Sequence, residues 1–379
     1  MIPHHRERFN RDFTPERYQK FLSELDRRAG THVKFRNCET PCFFPKQLLV
    51  KMVSYGKVLI EQLLDNPEYL AASDRAVPAE FRVPAEAPHP LFIQADFGLD
   101  ADLEPKLVEI QGFPSLYAYQ PVQAEIYRDV YGLDPALRFE FVDDYWPLLR
   151  QAVLGRCDPE NVVLMEIDPA GQKTLPDFIL MKEYCGIETV PVTEVKKRGN
   201  RLYHGDTPIH RIYNRVIVDE FQRKNVSAGC DWRDDLDVEW AGHPNWYFRI
   251  SKFSLPYLQH SSVPKTWFLN ELSTVPRDLE NYVLKPLYSF AGLGVIIEPT
   301  REQLESVNKS QYILQEKVDF VPVIQTPYGP TKAEVRVMYI WETELHAVTT
   351  IVRMGRGKMM GVDQNRDMEW VGASAGLFE

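Results

Sequence analysis

The spacing of apolar residues near the start of the chain predicts helices. Between positions 44 and 64 apolar side chains recur every three or four residues, which is the period of an amphipathic helix. Thr14 followed by Pro15 is typical of a helix start, with threonine as the cap and proline at the first helical position. We therefore predict a helical N-terminal region over 1–85.

A proline-rich connector over 77–90 leads into a different pattern, in which short apolar segments predict strands. Strands over 91–97 and 106–111, separated by a short loop, indicate a hairpin. A helix over 122–131 follows, and the whole unit is predicted to span 86–145.

The region 146–255 alternates between strand and helix patterns. Such alternation favours a parallel sheet, so we predict an α/β subdomain here. The predicted elements are strands at 161–167, 189–192 and 211–216 and a helix at 174–184.

The last region, 256–379, is predicted to consist mainly of strands. Strands at 282–287 and 294–298 enclose a glycine-containing loop, and a third covers 312–318. Two long segments, 333–341 and 346–354, are predicted to pair antiparallel. The chain as a whole is therefore predicted to combine α/β and α+β regions.

Composition narrows the class of protein. The chain has 379 residues, 44% hydrophobic and 26% charged, which excludes a disordered chain. A formal charge of −10 without a basic tail argues against general nucleic-acid binding. No apolar run approaches the roughly 18 to 20 residues of a membrane span, and the N-terminus lacks the apolar segment of a signal peptide. Five cysteines are too sparse for a disulfide framework, so we expect a reduced, cytoplasmic protein.

The glycine-containing loop is the first segment with candidate chemistry. Lys285 ends an apolar strand, and Ser289, Gly292 and Gly294 lie in the loop that follows. Glycines allow backbone N–H groups to approach phosphate oxygens, and a lysine adds a positive charge beside them. A tight hairpin with a surface lysine is the alternative. The segment is not a P-loop, because the lysine precedes the glycines.

Two further segments suggest ligand contacts. Gln315, Glu316 and Lys317 make the polar end of an apolar strand, which suits contacts to a base edge or is an ordinary strand end. On the upstream hairpin, Glu109 and Gln111 are two residues apart and share a face, and Asp96 lies on the partner strand. Two carboxylates and an amide oxygen suit Mg²⁺; three solvent-facing polar residues are the alternative.

Together these pieces resemble the ATP-grasp superfamily, in the circularly permuted arrangement of glutathionylspermidine synthase-like ligases. The resemblance rests on Asp96-Phe97, on the run 109–116 (EIQGFPSL), and on the order of the later segments 283–295 and 312–318. It implies an ATP-grasp fold with a preceding α/β (pre-ATP-grasp) subdomain and ATP and Mg²⁺ as cofactors.

By position, the resemblance implies a role for each candidate residue. Asp96, Glu109 and Gln111 would hold Mg²⁺; Lys285 and the loop with Ser289, Gly292 and Gly294 would hold the phosphates; Gln315, Glu316 and Lys317 would line the adenine pocket. Two positions depart from the family pattern: Gln111 replaces an asparagine, and Gln94 replaces an arginine. The family's amidase domain has no counterpart before residue 90, so no amidase activity is expected.

Other residues compete for the same roles. Asp363 and Asn365 are a second candidate metal pair, or an Asx-rich turn. Arg336 shares a face of a predicted strand with Glu334, and Arg353 begins a basic run that contains glycines. These two arginines are expected to stabilise a transferring phosphoryl group. Cys38 and Cys42 lack a second ligand pair, and the nine histidines show no metal spacing, so no zinc site is predicted.

The expected function is an ATP-dependent ligase that joins a small-molecule carboxylate to an amine through an acyl phosphate. A kinase of the same fold and a non-catalytic nucleotide-binding or scaffold protein are the alternatives. We expect neither nucleic-acid nor membrane partners. The identity of the acid and amine, and the oligomeric state, are not encoded in any motif.

Overall fold

The computed structural model describes residues 1–218, 220–289, 292–362, 365 and 367–379. Its helices are α1 Pro3–Asp12, α2 Pro15–Ala29, α3 Lys46–Leu64, α4 Pro67–Ala76, α5 Tyr119–Tyr131, α6 Tyr145–Leu154, α7 Leu175–Cys185, α8 Glu220–Arg223, α9 Trp246–Arg249 and α10 Arg301–Ser306. The predicted start of α2 is confirmed, since the Thr14 hydroxyl accepts a hydrogen bond from the backbone N–H of Arg17.

The strands form four sheets. They are β1 Cys42–Phe44, β2 Phe92–Leu99, β3 Pro105–Gln111, β4 Val162–Glu166, β5 Glu188–Pro191, β6 Val195–Arg198, β7 Arg201–His204, β8 Thr207–Ile209, β9 Arg211–Asn214, β10 Glu239–Ala241, β11 Thr266–Phe268, β12 Tyr282–Pro286, β13 Ile296–Ile297, β14 Tyr312–Glu316, β15 Lys332–Trp341, β16 Leu345–Gly355 and β17 Gly372–Phe378.

The largest sheet has the order β1-β17-β16-β15-β2-β3 and is called the central sheet below. The predicted hairpin (β2 and β3) and the predicted antiparallel pair (β15 and β16) are both confirmed. Strand β2 pairs antiparallel with β15. This pairing joins the hairpin to the antiparallel pair, although more than 200 residues of chain separate β2 from β15. Strand β1, which pairs parallel with β17, lies within the region 1–85 that was predicted to be helical. It was not predicted because three buried residues are too few to show a period.

Alternating side chains of the central sheet pack into two different cores, one on each face of the sheet. Ile93 and Ala95 of β2 pack with Val335 and Val337 of β15 in a core that includes residues of α3. On the opposite face, Phe92 and Ile340 belong to the core that contains residues of α5. That second face turns polar further along the same strands, at Asp96 and Arg336, which are cross-strand neighbours.

The middle of the chain contains the predicted parallel sheet, with the order β10-β9-β4-β5 and all pairs parallel. A small antiparallel sheet, β6-β7-β8, was not predicted. The last sheet, β11-β14-β12-β13, is antiparallel and is called the lid sheet below. Its strand β13 is shorter than predicted. None of the described helices is both long and apolar enough to cross a membrane.

Candidate functional site

The polar patch on the central sheet is built by strand register. Asp96 lies opposite Glu109 on one side and opposite Arg336 on the other, and Glu334 lies opposite Arg353. Because every second residue of a strand faces the same way, these side chains share one face. The sheet thus brings together the upstream candidate metal ligands, Asp96, Glu109 and Gln111, and both predicted arginines.

Asp96 is the most buried member of this patch, with 1% of its surface exposed. The Arg336 guanidinium donates two hydrogen bonds to its carboxylate, from Nε to Oδ1 at 2.6 Å and from Nη2 to Oδ2 at 2.7 Å. Arg353 Nη2 donates to the same Oδ2 at 2.5 Å. Arg336 also donates to the amide oxygen of Gln94 at 3.0 Å. The carboxylate charge of Asp96 is therefore compensated by two arginines.

Glu109 is held by a lysine that the sequence analysis did not single out. Lys252 Nζ lies 2.8 Å from Glu109 Oε2, and Gln111 Nε2 donates to Glu109 Oε1 at 2.5 Å. Burial alone would raise the pKa of Glu109, but the charges of Lys252 and Arg336 hold it at about 2. Glu334 is paired with Arg353 at 3.1 Å, and burial raises its pKa.

The lid sheet contributes Lys285, which is 7% exposed. Its Nζ donates to the backbone carbonyl of Val108 at 3.1 Å and to Gln315 Oε1 at 2.6 Å. Burial lowers its pKa to about 8, and the neighbouring charge of Lys252 acts in the same direction. This lysine is one of four cations, and three carboxylates face them. The cations are Lys252, Lys285, Arg336 and Arg353; the carboxylates are Asp96, Glu109 and Glu334.

A cavity of about 230 Å³ lies between the lid sheet and the polar patch. Predicted residues on its wall are Glu109, Lys285, Gly292, Gln315, Glu316, Lys317 and Arg353. Apolar side chains line it as well, among them Val283, Ile297 and Met360. The cavity therefore combines apolar surface with charged groups contributed by both sheets.

The other predicted residues lie beside this wall. Ser289 and Gln111 line a small neighbouring pocket that shares Glu109 and Lys252 with the cavity. The Ser289 carbonyl accepts a hydrogen bond from Lys252 Nζ at 2.8 Å. Gly294 and Gly292 both have φ of +73°, a conformation that favours glycine. Positions 290 and 291 of the predicted phosphate loop lie outside the described residues.

The second candidate metal pair falls partly outside the described residues, since Asp363 is not among them. The amide of Asn365 is buried and braces the loop over 356–361. Its Oδ1 accepts two backbone N–H groups at 3.1 Å, and its Nδ2 donates to two carbonyls at 2.9 and 3.0 Å. Both polar atoms of Asn365 thus serve the backbone.

Lys252 and Glu334 were not among the predicted site residues. Both are buried charged groups on the cavity wall. A lysine within an otherwise largely apolar run, 250–258, was the available signal for Lys252.

The site offers donor groups for both of the implied ligands, a polyphosphate and Mg²⁺. For a polyphosphate the fit is good, because Lys252, Lys285 and Arg353 on the described part of the cavity wall supply charged hydrogen-bond donors. For Mg²⁺ the donor atoms are of the right kind, since Asp96, Glu109 and Gln111 all offer oxygens and lie together. Their negative charge, however, is already compensated by Arg336, Arg353 and Lys252.

Comparisons with known proteins agree with this architecture. No protein-family model and no curated protein sequence matches the chain. Among solved structures, the apo form of a glutathione synthetase-like effector from Globodera pallida is similar, with a TM-score of 0.63 and 12% identity over 96% of both chains. The chain therefore has a mixed α/β fold similar to that of this glutathione synthetase-like protein, in agreement with the fold that the resemblance implies. The permuted glutathionylspermidine synthase-like arrangement stays a prediction.

Proposed function

We propose that this chain is an ATP-dependent ligase that joins a small-molecule carboxylate to a small-molecule amine. The observation that carries the proposal is the cavity, where Lys285 of the lid sheet and Arg353 of the central sheet line one space. Cations on both walls suit a polyphosphate, and the glutathione synthetase-like fold supports a nucleotide-dependent ligase. Of the ligases with this fold, we propose the glutathionylspermidine synthase-like group without its amidase domain.

The nucleotide lies against the lid sheet in this proposal. Lys285 and Lys252 supply positive charge to its phosphates, together with the backbone around Gly292 and Gly294. The base lies beside the strand end at 315–317, where Val283 and Ile297 provide apolar contacts. Asp96, Glu109 and Gln111 would hold Mg²⁺, and the ion would neutralise phosphate charge there.

The reaction has two steps. A carboxylate oxygen of the acid attacks the γ-phosphorus of ATP, the bond to the β,γ-bridging oxygen breaks, and ADP leaves. The amine nitrogen then attacks the acyl carbon, phosphate leaves with the bonding electron pair, and the nitrogen loses a proton. Arg336 and Arg353 stabilise the charge of the transferring phosphoryl group.

A screen for ADP release tests the proposal. The full chain, ATP and Mg²⁺ are incubated with pairs drawn from amino acids, polyamines and small peptides, and products are identified by mass spectrometry. We expect ADP only when an acid and an amine are both present, with one amide formed per ADP. A stable phosphorylated product from a single substrate would show a kinase instead, and no ADP from any pair would contradict both.

A second function is favoured by the pairing of Asp96 with two arginines and by Gln94. A carboxylate saturated in this way suits a protein that binds nucleotide without turning it over. It predicts ATP binding by calorimetry that changes little when Mg²⁺ is replaced by EDTA, and no ADP release. A strong Mg²⁺ requirement for binding would exclude this second function.

A further inference from the structure

Two histidines and a glutamate come together outside the cavity. His4 and His5 are consecutive residues of α1, and Glu379 follows the last strand, β17. His4 Nε2 lies 3.7 Å from Glu379 Oε1, and His5 Nε2 lies 3.3 Å from Glu379 Oε2. One ligand atom from each of the three residues can be chosen so that all lie within 4.8 Å of one another.

These separations match those around a small transition-metal ion. Zn²⁺ binds imidazole nitrogen and carboxylate oxygen at about 2.0–2.2 Å, so tetrahedral ligand atoms lie about 3.3–3.6 Å apart. The two histidine–glutamate distances, which end on different oxygens of the carboxylate, are close to this range. The His4 side chain is 69% exposed, so it has the freedom to close the widest gap. Imidazole ligands favour a transition metal over Mg²⁺ or Ca²⁺, which prefer oxygen.

His5 gives an independent reason to expect a ligand. It is only 8% exposed, and its ring stacks on Phe43 with centroids 5.4 Å apart. Its Nε2 is buried and has no hydrogen-bond partner, although it faces the Glu379 carboxylate. Buried polar atoms without partners are rare, and a cation between the nitrogen and the carboxylate would satisfy both.

We propose that His4, His5 and Glu379 form a binding site for a divalent transition-metal ion, with Zn²⁺ as the best-fitting probe. A solvent molecule takes the fourth position on the side of the exposed His4. The ion joins helix α1 to the residue after β17 and thereby stabilises their packing. The sequence did not predict this site because its glutamate is 374 residues from His5 along the chain.

Calorimetric titration of the untagged full chain with Zn²⁺ tests the proposal. We expect one ion per chain, and we expect His4→Gln and Glu379→Gln each to weaken binding by about tenfold or more. His32→Gln is the matched control: His32 also contacts a carboxylate, Asp26 at 2.8 Å, but outside any three-residue cluster of the described part of the chain. Its binding should equal that of the wild type.

Two further measurements distinguish Zn²⁺ binding at this site from Zn²⁺ binding elsewhere on the chain. Zn²⁺ should raise the melting temperature of the wild type and of His32→Gln, but not of His4→Gln or Glu379→Gln. Bound Co²⁺ should show no thiolate charge-transfer band, because the half-buried Cys157 and Cys230 are not ligands. A thiolate band, unchanged binding in His4→Gln and Glu379→Gln, or no binding by the wild type would each overturn the proposal.

Discussion

Replacing Lys285 by methionine separates the contribution of this lysine to binding from its contribution to folding. Methionine has nearly the same shape but no charge, so the change removes the ammonium group and little else. In the folded chain that group has two hydrogen-bond acceptors, the carbonyl of Val108 and the amide oxygen of Gln315. The same group faces the cavity in which we propose that nucleotide binds.

Two opposing contributions set the effect on stability. Lowering the pKa of Lys285 from 10.5 to about 8 means that the fold disfavours the charged form by about 3 kcal/mol, which methionine would relieve. Leaving two acceptors without a donor costs about 1–3 kcal/mol for each of them, or about 2–6 kcal/mol together. We therefore expect the free energy of unfolding of Lys285→Met to lie within about 3 kcal/mol of the wild type, measured by urea denaturation at pH 7.

For ATP binding, the loss of the Lys285 charge is expected only to weaken affinity. A hydrogen bond from a charged donor to phosphate contributes about 1.5–3 kcal/mol, so Lys285→Met should weaken ATP binding by about tenfold to 150-fold by calorimetry. Wild-type affinity should fall about tenfold between pH 7 and pH 9, because the binding form is protonated and the pKa is about 8. Lys285→Arg stays charged over this range and should lack this decline.

Lys309, which is exposed and precedes β14, provides the control, since Lys309→Met should leave both ATP binding and stability unchanged. Stability has its own pH signature. The unfolded chain keeps the Lys285 proton up to about pH 10.5 and the folded chain releases it near 8, so the wild type should gain stability relative to Lys285→Met across this interval. Unchanged ATP affinity in a folded Lys285→Met would refute the assignment of this lysine to the phosphates.

Three further predictions concern folding. Gly56→Ala should destabilise by about 1–2 kcal/mol despite the better helix propensity of alanine, because its Cβ would lie 2.1 Å from the Tyr339 hydroxyl; adding Tyr339→Phe should recover part of the loss in thermal melts. Asp177→Ala should lower the free energy of unfolding by about 3 kcal/mol in urea denaturation, because the buried carboxylate accepts hydrogen bonds from three backbone N–H groups at the start of α5. The stability of Asp177→Asn should lie between those of the wild type and Asp177→Ala. Burial raises the pKa of Glu140 to about 7, so its contribution to the free energy of unfolding declines as pH rises from 4.5 to 7. Glu140→Gln should therefore become more stable relative to the wild type over that interval. Parallel pH profiles of the two proteins would contradict this.

The sequence predicted the local elements well where their period was long enough to see. The β2–β3 hairpin, the β15–β16 pair, the parallel sheet and helix α3 all follow from spacing alone. Strand β1 and the sheet β6-β7-β8 were missed, because strands of three or four residues show no reliable alternation. The division of the chain into domains at 85, 145 and 255 stays a prediction.

The candidate site was predictable within each strand but not between strands. A period of two put Glu109 beside Gln111 and Glu334 beside Arg336 from the sequence alone. The pairing of β2 with β15, which places Asp96 against Arg336, depends on sheet order, and sheet order is set by long-range packing. Lys252 was missed because its role depends on contact with Glu109, which is 143 positions away along the chain.

What the sequence by itself determined is the set of local elements and the residue types with suitable chemistry. It also allowed the ATP-grasp fold to be predicted from the order of short segments. The tertiary structure alone decided how the charges combine: it pairs Asp96 with two arginines and Glu109 with Lys252. The physical reason is that charge compensation depends on distance in space, and burial strengthens each contact, whereas neither quantity is a property of local sequence.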